Sequence, residues 1–478
     1  MINHFIKNRI QLVIFVLIFI GTLLFFCKVN PLIVFDTDDW YYMYNFRWPI
    51  PLPGSWNPSK VFPEVLMPSM SILASYIVYP ITKDFVLAQS IFHGIVVSIV
   101  VFIYIFKFYQ YMMKLTNDDS IVSAFLSSLF FIFHFLIFRC KDSDNVFMFY
   151  SSSVTNYYNY MLPSLLNATL VLSLLKEDFL SDFYNENNLF RNSIYLILIY
   201  FSIFSNIYTS IILISYILFD ILRNAKNILY LIKCANTKII ICFIFLITCV
   251  LELFGGRAAR AVHDEPFLQR FGNTIFTFVK NTHFNKVFIL IFLILIALMI
   301  INFVNKNIKF VIKDILNLVF SYFITLFYVI ILSSIVNPSY ISRSDVSYGF
   351  MFFFLVITFT LLAKLYNDKH FKLLLPFICT ISLLSVNSNG NTFKDVSIKN
   401  ANLITNDIVK QVIYSVNNNQ SNMDLYIPRF DSSDNFPIAM YANDRISTCL
   451  FKHGIVPYNV GINFIVDSNK NIEFNLQK

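Results

Sequence analysis

Charge is scarce in this sequence: Asp, Glu, Lys and Arg together make up 13% of its 478 residues. The net charge is only +8, and no basic cluster with interleaved aromatics occurs, which argues against a nucleic-acid partner. Glycine is thin as well, at 10 residues. No phosphate-cradling loop, dinucleotide fingerprint or Ser-His-Asp spacing is found, so nothing points to direct use of a nucleotide. The seven cysteines are scattered, without a CxxC pair or zinc-ligand spacing. They argue against a disulfide framework and a cysteine-built metal centre. The first apolar run, residues 10–26, follows Lys7 and Arg9 but lacks a small-residue cleavage site. It reads as a retained transmembrane helix rather than a signal peptide. No internal repeat is visible, which weighs against a transporter built from repeated halves.

Apolar residues fill the space that charge leaves. They make up 57% of the chain, with 55 Phe and a mean hydropathy of +0.64, the composition of a polytopic membrane protein. Long apolar runs in lipid must satisfy their own backbone hydrogen bonds and therefore read as helices. They fall at 10–26, 86–109, 121–138, 158–175, 194–222, 239–253, 287–303, 315–335, 350–365 and 373–386. The 194–222 run is broken at Ser205-Asn206 and flanked by basic residues on both sides, so it reads as a hairpin of two short helices. About eleven spans result. Lys and Arg in the short loops put the N-terminus in the cytoplasm and the C-terminus outside. The expected fold class is mostly α: a membrane helical bundle over residues 1–386, then a small α/β extracytoplasmic domain over 387–478. In that tail, residues 404–416 carry apolar side chains at helical spacing, and 423–427 and 461–466 alternate like strands.

The first outer loop, residues 31–85, packs Asp36, Asp38 and Asp39 into four positions beside Trp40-Tyr41-Tyr42. A carboxylate fixed at a membrane boundary can accept the proton of a sugar hydroxyl as that hydroxyl attacks an anomeric carbon. The same three could hold a divalent cation such as Mg or Mn, although nothing else completes a cage. Prolines 49, 51, 53, 58, 63 and 68 forbid one continuous helix through the loop. Residues 61–81 are amphipathic enough to lie on the bilayer surface. Asp118-Asp119, near Lys114, reads as a solvated inward pair. Basic residues in outer loops run against the positive-inside bias, and Arg139, Lys141, Arg257, Arg260 and Arg343 do so here. Guanidinium forks match phosphate geometry, so these five are the candidates for a lipid-linked phosphate. Snorkelling to lipid headgroups is the plainer alternative. His263, beside Asp264 and Glu265 in the Gly255-Gly256-Arg257 loop, is an accessory candidate, whereas His93 and His134 read as packed residues within spans.

The acidic stretch Asp36-Thr37-Asp38-Asp39-Trp40, the many spans and the outer C-terminal part resemble the GT-C superfamily of membrane glycosyltransferases. Within it the chain is most similar to bacterial glucosyltransferase-like proteins of O-antigen-modification and surface-polysaccharide clusters. The matching stretches are Tyr157-Tyr158-Asn159-Tyr160-Met161-Leu162-Pro163, Gly255-Gly256-Arg257 and Ser342-Arg343. Related loops often carry Gly-Asn before the arginine, where this chain has Gly-Gly. The resemblance implies a polyprenyl-phosphate sugar donor and a surface glycan acceptor on the outer side of the bilayer. It implies Asp38 or Asp39 as base, and Asp38 is favoured as the first of the acidic pair. Asp39 then reads as its support or a metal contact, and Tyr157 is a further accessory candidate. The competing readings are an O-antigen or capsule polymerase and a non-enzymatic transporter or flippase. The latter calls for charge at mid-membrane depth.

Overall fold

The computed structural model of the chain describes residues 2–50, 58–140, 147–151, 153–181, 189–224, 236–255, 265–305, 309–366, 369–386, 396–429, 437–439 and 443–476. The apolar runs form helices. In chain order they are α1 (Ile2–Leu24, prolonged by a π-turn over Phe25–Val29), α2 (Thr37–Tyr42), α3 (Val61–Ile77), α4 (Tyr79–Thr82), α5 (Phe85–Leu115) and α6 (Ser120–Phe133). Strand β1 (Phe138–Cys140) precedes α7 (Val154–Asn156), a π-turn over Tyr157–Met161, α8 (Leu162–Lys176), α9 (Leu189–Ile203), α10 (Ile207–Asn224) and α11 (Asn236–Gly255). Then come α12 (Phe267–Asn281), β2 (Thr282–Phe284), α13 (Lys286–Asn305), α14 (Lys309–Val336), a 3-10 turn over Pro338–Ser342, α15 (Ser344–Leu365) and α16 (Lys369–Leu384). The last part holds α17 (Ile398–Asn417), β3 (Asn422–Ile427), α18 (Asn443–Lys452), β4 (Gly461–Val466) and α19 (Ser468–Glu473).

Six of these helices are long and apolar enough to cross a membrane: Arg9–Val29, Val61–Thr82, Phe85–Leu115, Asn236–Phe254, Ile315–Val336 and Ser344–Leu365. That is the architecture of a multi-pass helical membrane protein. The six differ in what they face. The apolar window of α15 is 94% buried inside the protein, whereas that of Arg9–Val29 is 22% buried. Helix α15 is thus the hub and α1 a peripheral helix whose apolar surface is left for lipid. Phenylalanine supplies the filling around the hub: Phe108 stacks on Phe130 at 3.7 Å, and Phe359 meets both edge-on. Two glycines let helices come close enough for this packing. A Cβ at Gly94 would lie 2.7 Å from the Phe26 carbonyl oxygen, and one at Gly349 would lie 2.8 Å from Ile212 and Thr325 side chains.

The first loop is not one continuous helix, as its prolines require, but residues 61–77 form a helix straight through Pro68, and 61–82 is long and apolar enough to cross a membrane. Proline at 63 sits in the first turn, where a missing N–H costs nothing. Proline at 68 orphans the carbonyl of Glu64. That carbonyl accepts from the Arg47 amide at 3.3 Å, while Arg47 Nη1 donates to Glu64 Oε2 at 3.0 Å. The chain entering the helix repairs the bond that the proline removes. Residues 267–279, whose sequence reads as amphipathic, form α12 with an exposed apolar face of Leu268, Ile275, Phe276 and Val279. Asp119 is not merely solvated: it caps α6 by accepting from the Val122 amide.

The 194–222 run is broken as expected, at Phe204-Ser205-Asn206 between α9 and α10. The expected strands and helix of the tail are present, with β3 and β4 parallel and paired over Asn422↔Gly461 to Ile427↔Val466. This tail does not stand apart from the helical part. Thr405 Oγ1 donates to the Val34 carbonyl at 2.7 Å, the Ala439 amide donates to Thr37 Oγ1 at 2.6 Å, and His453 packs edge-on against Phe85. It closes over the acidic loop.

Candidate active site

The acidic stretch folds into a single capped turn, and the cap sorts its three carboxylates. Asp36 is the N-cap of α2, its Oδ1 accepting from the Thr37 amide at 2.7 Å. Asp39, three residues on, completes the capping box. Its Oδ2 accepts from the amides of Phe35 and Asp36, both at 3.0 Å, and its Oδ1 from the amide of Thr155 at 2.7 Å. It has no solvent exposure. Burial pushes the Asp39 carboxyl above the ordinary carboxylate range, and the N–H donors of Thr155, Phe35 and Asp36 work against that push. Trp40 is buried beside it, stacked on Phe85. With Asp39 and Trp40 turned inward, the intervening helical geometry leaves Asp38 facing out, with a side chain 47% exposed.

Asp38 lines a small, partly open cleft whose cavity volume is about 70 Å³. Thr155, Asn156, Asn159 and Tyr160 enter it from the α7 turn and the π-turn that follows. Asn206 and Tyr208 enter from the α9–α10 break, Ser59 and Lys60 from the turn before α3, and Tyr340 from the 3-10 turn. The α9–α10 break is therefore put to use: Asn206 Nδ2 donates to the Asn159 carbonyl at 2.9 Å, tying two cleft walls together. Glu252, in the last turn of α11, completes the lining and accepts from Ser59 Oγ at 2.7 Å.

Arg343 meets the cleft through its tyrosines. Its guanidinium lies over the rings of Tyr160 and Tyr340, 4.7 and 5.1 Å from their centroids. Nε and Nη2 fork onto the buried Asp345 carboxylate at 3.0 and 2.8 Å. Burial works to lower the guanidinium pKa, but the Asp345 carboxylate and the two tyrosines more than offset it, and the net shift is upward. A permanent, oriented cation results. A second cation comes from the tail: Arg445 Nη1 lies 3.5 Å from Asp38 Oδ1, and its guanidinium lies over Tyr41 at 5.0 Å.

Asp38 and Tyr160 line one cleft, while Arg343 does not line it but lies over the rings of Tyr160 and Tyr340, paired with Asp345. The structure sends the other acids elsewhere. Asp36 and Asp39 are occupied in the turn, so the three carboxylates do not converge. Among the described residues no group of three His, Cys, Asp or Glu could hold a metal ion. The three-acid cation site therefore does not fit the residues present: Asp39 already takes three N–H donors. Tyr157 is buried beside Phe26 and lines a separate pocket with Asn30 and Tyr150, not the Asp38 cleft. Arg139 lies in β1, where its backbone pairs with His283. Lys141, Arg257, Arg260 and His263 lie outside the described residues.

Sequence reasoning missed Glu252, Asn159, Asn206 and Arg445. Glu252 had a signal: it is the one acid in the apolar sequence of α11. Asn206 had one too, at the helix break. Arg445 had none, because only the folded tail puts it beside Asp38. No protein-family model, curated protein or solved structure matches this chain.

Proposed function

We propose that this chain is a membrane glycosyltransferase. It moves a hexose such as glucose from a polyprenyl-phosphate donor to a cell-surface glycan such as O-antigen, on the outer face of the cytoplasmic membrane. The observation that carries the reading is the cleft in which Asp38 meets Tyr160 and Tyr340, the two rings that hold Arg343. Sugar transfer from a phosphate needs a base for the incoming hydroxyl and fixed positive charge for the departing phosphate. The acceptor oxygen bonds to the anomeric carbon as the bond from that carbon to the phosphate oxygen breaks. The hydroxyl proton passes to Asp38, and the bonding pair leaves with the phosphate toward Arg343.

In this reading the chain crosses the bilayer about eleven times, with the N-terminus inside and the tail that covers Asp38 outside. A reporter fused after Lys478 should behave as exported. A cytoplasmic reporter would place the cleft on the wrong side for a surface glycan. The cation can be tested by Arg343→Lys, which keeps a positive charge for buried Asp345 but loses the fork and the planar overlap with two rings. Transfer should fall about 10- to 100-fold at unchanged membrane abundance. An unaltered rate would remove Arg343 from the site.

A further inference from the structure

We propose that α12 and the loop around Trp48 are interfacial anchors: their apolar side chains enter a lipid surface and hold the Asp38 cleft at headgroup depth. The inference draws on the membrane-crossing helices and not on the transfer reading. Helix α12 is the wrong way round for a helix bathed only in water. Arg270 and Thr274 face the protein. Arg270 Nη1 donates to the Ile335 carbonyl at 3.0 Å, and Thr274 Oγ1, fully buried, accepts from Ser334 Oγ at 2.9 Å. Leu268, Phe276 and Val279 point away from it, exposed by 79%, 65% and 68%. At about 100° per residue these three and Ile275 fall in one stripe. Gln269, Asn273 and Lys280 form an exposed polar edge beside it, and Lys280 Nζ lies over the Phe276 ring, 5.7 Å from its centroid. The outward surface is divided lengthwise into an apolar and a polar half, as a helix lying in a bilayer interface calls for.

What covers the stripe follows from where the helix is fixed. Ser334 and Ile335 belong to the last turn of α14, one of the six helices able to cross a membrane. The stripe therefore lies at the level where the exposed apolar surface of that helix, Phe323 and Phe327 included, gives out. A second patch lies at the same end of the bundle. Phe46, Trp48 and Ile50 are exposed in the loop before α3, which is fixed by the Arg47–Glu64 pair and by Tyr200 Oη, donating to the Pro49 carbonyl at 2.6 Å. Tryptophan suits a membrane boundary because its ring is apolar and its N–H stays wet. Both patches hang from segments that wall the cleft. Helix α12 sits on the end of α14, next to Val336 and Tyr340, and the Trp48 loop is tied to α9, whose end leads to Asn206. A bilayer surface that takes both patches puts the cleft mouth among headgroups, within reach of a ligand with a lipid tail.

The test uses the full-length protein in nanodiscs of phosphatidylcholine and phosphatidylglycerol. An environment-sensitive fluorescent amino acid replaces Leu268, Phe276, Trp48 or Gln269, one at a time. Quenching is read with lipids carrying a nitroxide on the headgroup, on the fifth acyl carbon or on the twelfth. Probes in place of Leu268 and Phe276 should be quenched about twofold more from the fifth carbon than from the twelfth, as an immersion of about 5–10 Å demands. The probe in place of Trp48 should follow them, and the one in place of Gln269 should respond to the headgroup nitroxide alone. Equal or stronger quenching of the α12 probes from the twelfth carbon would make α12 part of a span. No quenching from either acyl position would leave the stripe in water or under a second copy of the chain. Either result overturns the proposal, and failure of the Trp48 probe alone overturns the joint anchoring. Should a probe variant not accumulate, the unmodified protein is irradiated in discs holding a lipid with a diazirine near the headgroup end of its acyl chain, then digested. Lipid adducts should fall in peptides covering 46–50 and 267–280, and adducts confined to the spans overturn the proposal. None of these readouts depends on sugar transfer, so a chain that anchors in this way but transfers nothing overturns the transferase reading and leaves the anchors standing.

Discussion

Asp38→Asn should leave a protein that inserts and accumulates normally yet transfers sugar about 10²–10⁴-fold more slowly, the usual contribution of a positioned general base. Asparagine keeps the volume and one acceptor oxygen of the carboxylate but cannot take the proton. The side chain is half-exposed and its nearest ion pair, with Arg445 at 3.5 Å, is partly solvated on both sides. Such a pair contributes at most about 1 kcal/mol, so the fold should not register its loss. The measurement is sugar incorporation into surface glycan, normalised to membrane abundance. Near-normal incorporation by an abundant Asp38→Asn protein would sink the general-base assignment.

Arg445 places the tail beside this side chain, 3.5 Å from Asp38 Oδ1, and in the proposed reaction the incoming hydroxyl approaches from the cleft side, where Asn156 and Asn159 lie. The tail thus contacts the acidic turn directly. Its hydrogen bonds reach the Val34 carbonyl and the Thr37 hydroxyl, on either side of Asp36. The turn is clamped between the tail on one side and the Thr155 segment on the other.

The broad outline was legible from residue chemistry. Apolar runs with no means of satisfying their backbone except in helices became helices, and alternating residues in the tail became strands. The Ser205-Asn206 break appeared where polar residues interrupt an apolar run. What could not be read was set by long-range packing. Local sequence does not show that the Arg47 amide, from outside the helix, donates to the Glu64 carbonyl that Pro68 orphans. Nor does it show the partners of polar residues in 61–82, such as Ser71, which meets His93. Asp38 and Asp39 are neighbours with the same chemistry, and only a rotation of about 100° per residue separates them. The donor that decides which one turns inward, Thr155, lies 116 positions away. Glu252 reaches Ser59 across a still longer separation. Local sequence carries no record of such pairs.

The same sorting yields the opposite expectation for the adjacent acid. Asp39→Ala should cost the fold rather than the chemistry. It strands three amide N–H groups, those of Phe35, Asp36 and Thr155, in a position with no solvent exposure. Each buried donor left unmade costs about 1–3 kcal/mol, and bonds to a charged group stand at the upper end. The loss falls on a link between two segments that wall the cleft, so local and tertiary structure weaken together. Membrane abundance and monodispersity after extraction should drop sharply, with the thermal midpoint lower by on the order of 10 °C. Asp39→Asn should fall between, because its amide oxygen can still accept from Thr155 while its NH₂ group is forced against the two donors at Phe35 and Asp36. Side-by-side thermal melts of the Asp38 and Asp39 variants in one detergent separate the two roles. An Asp39→Ala protein as stable as the wild type but inactive would reverse the assignment and make Asp39 the chemical group.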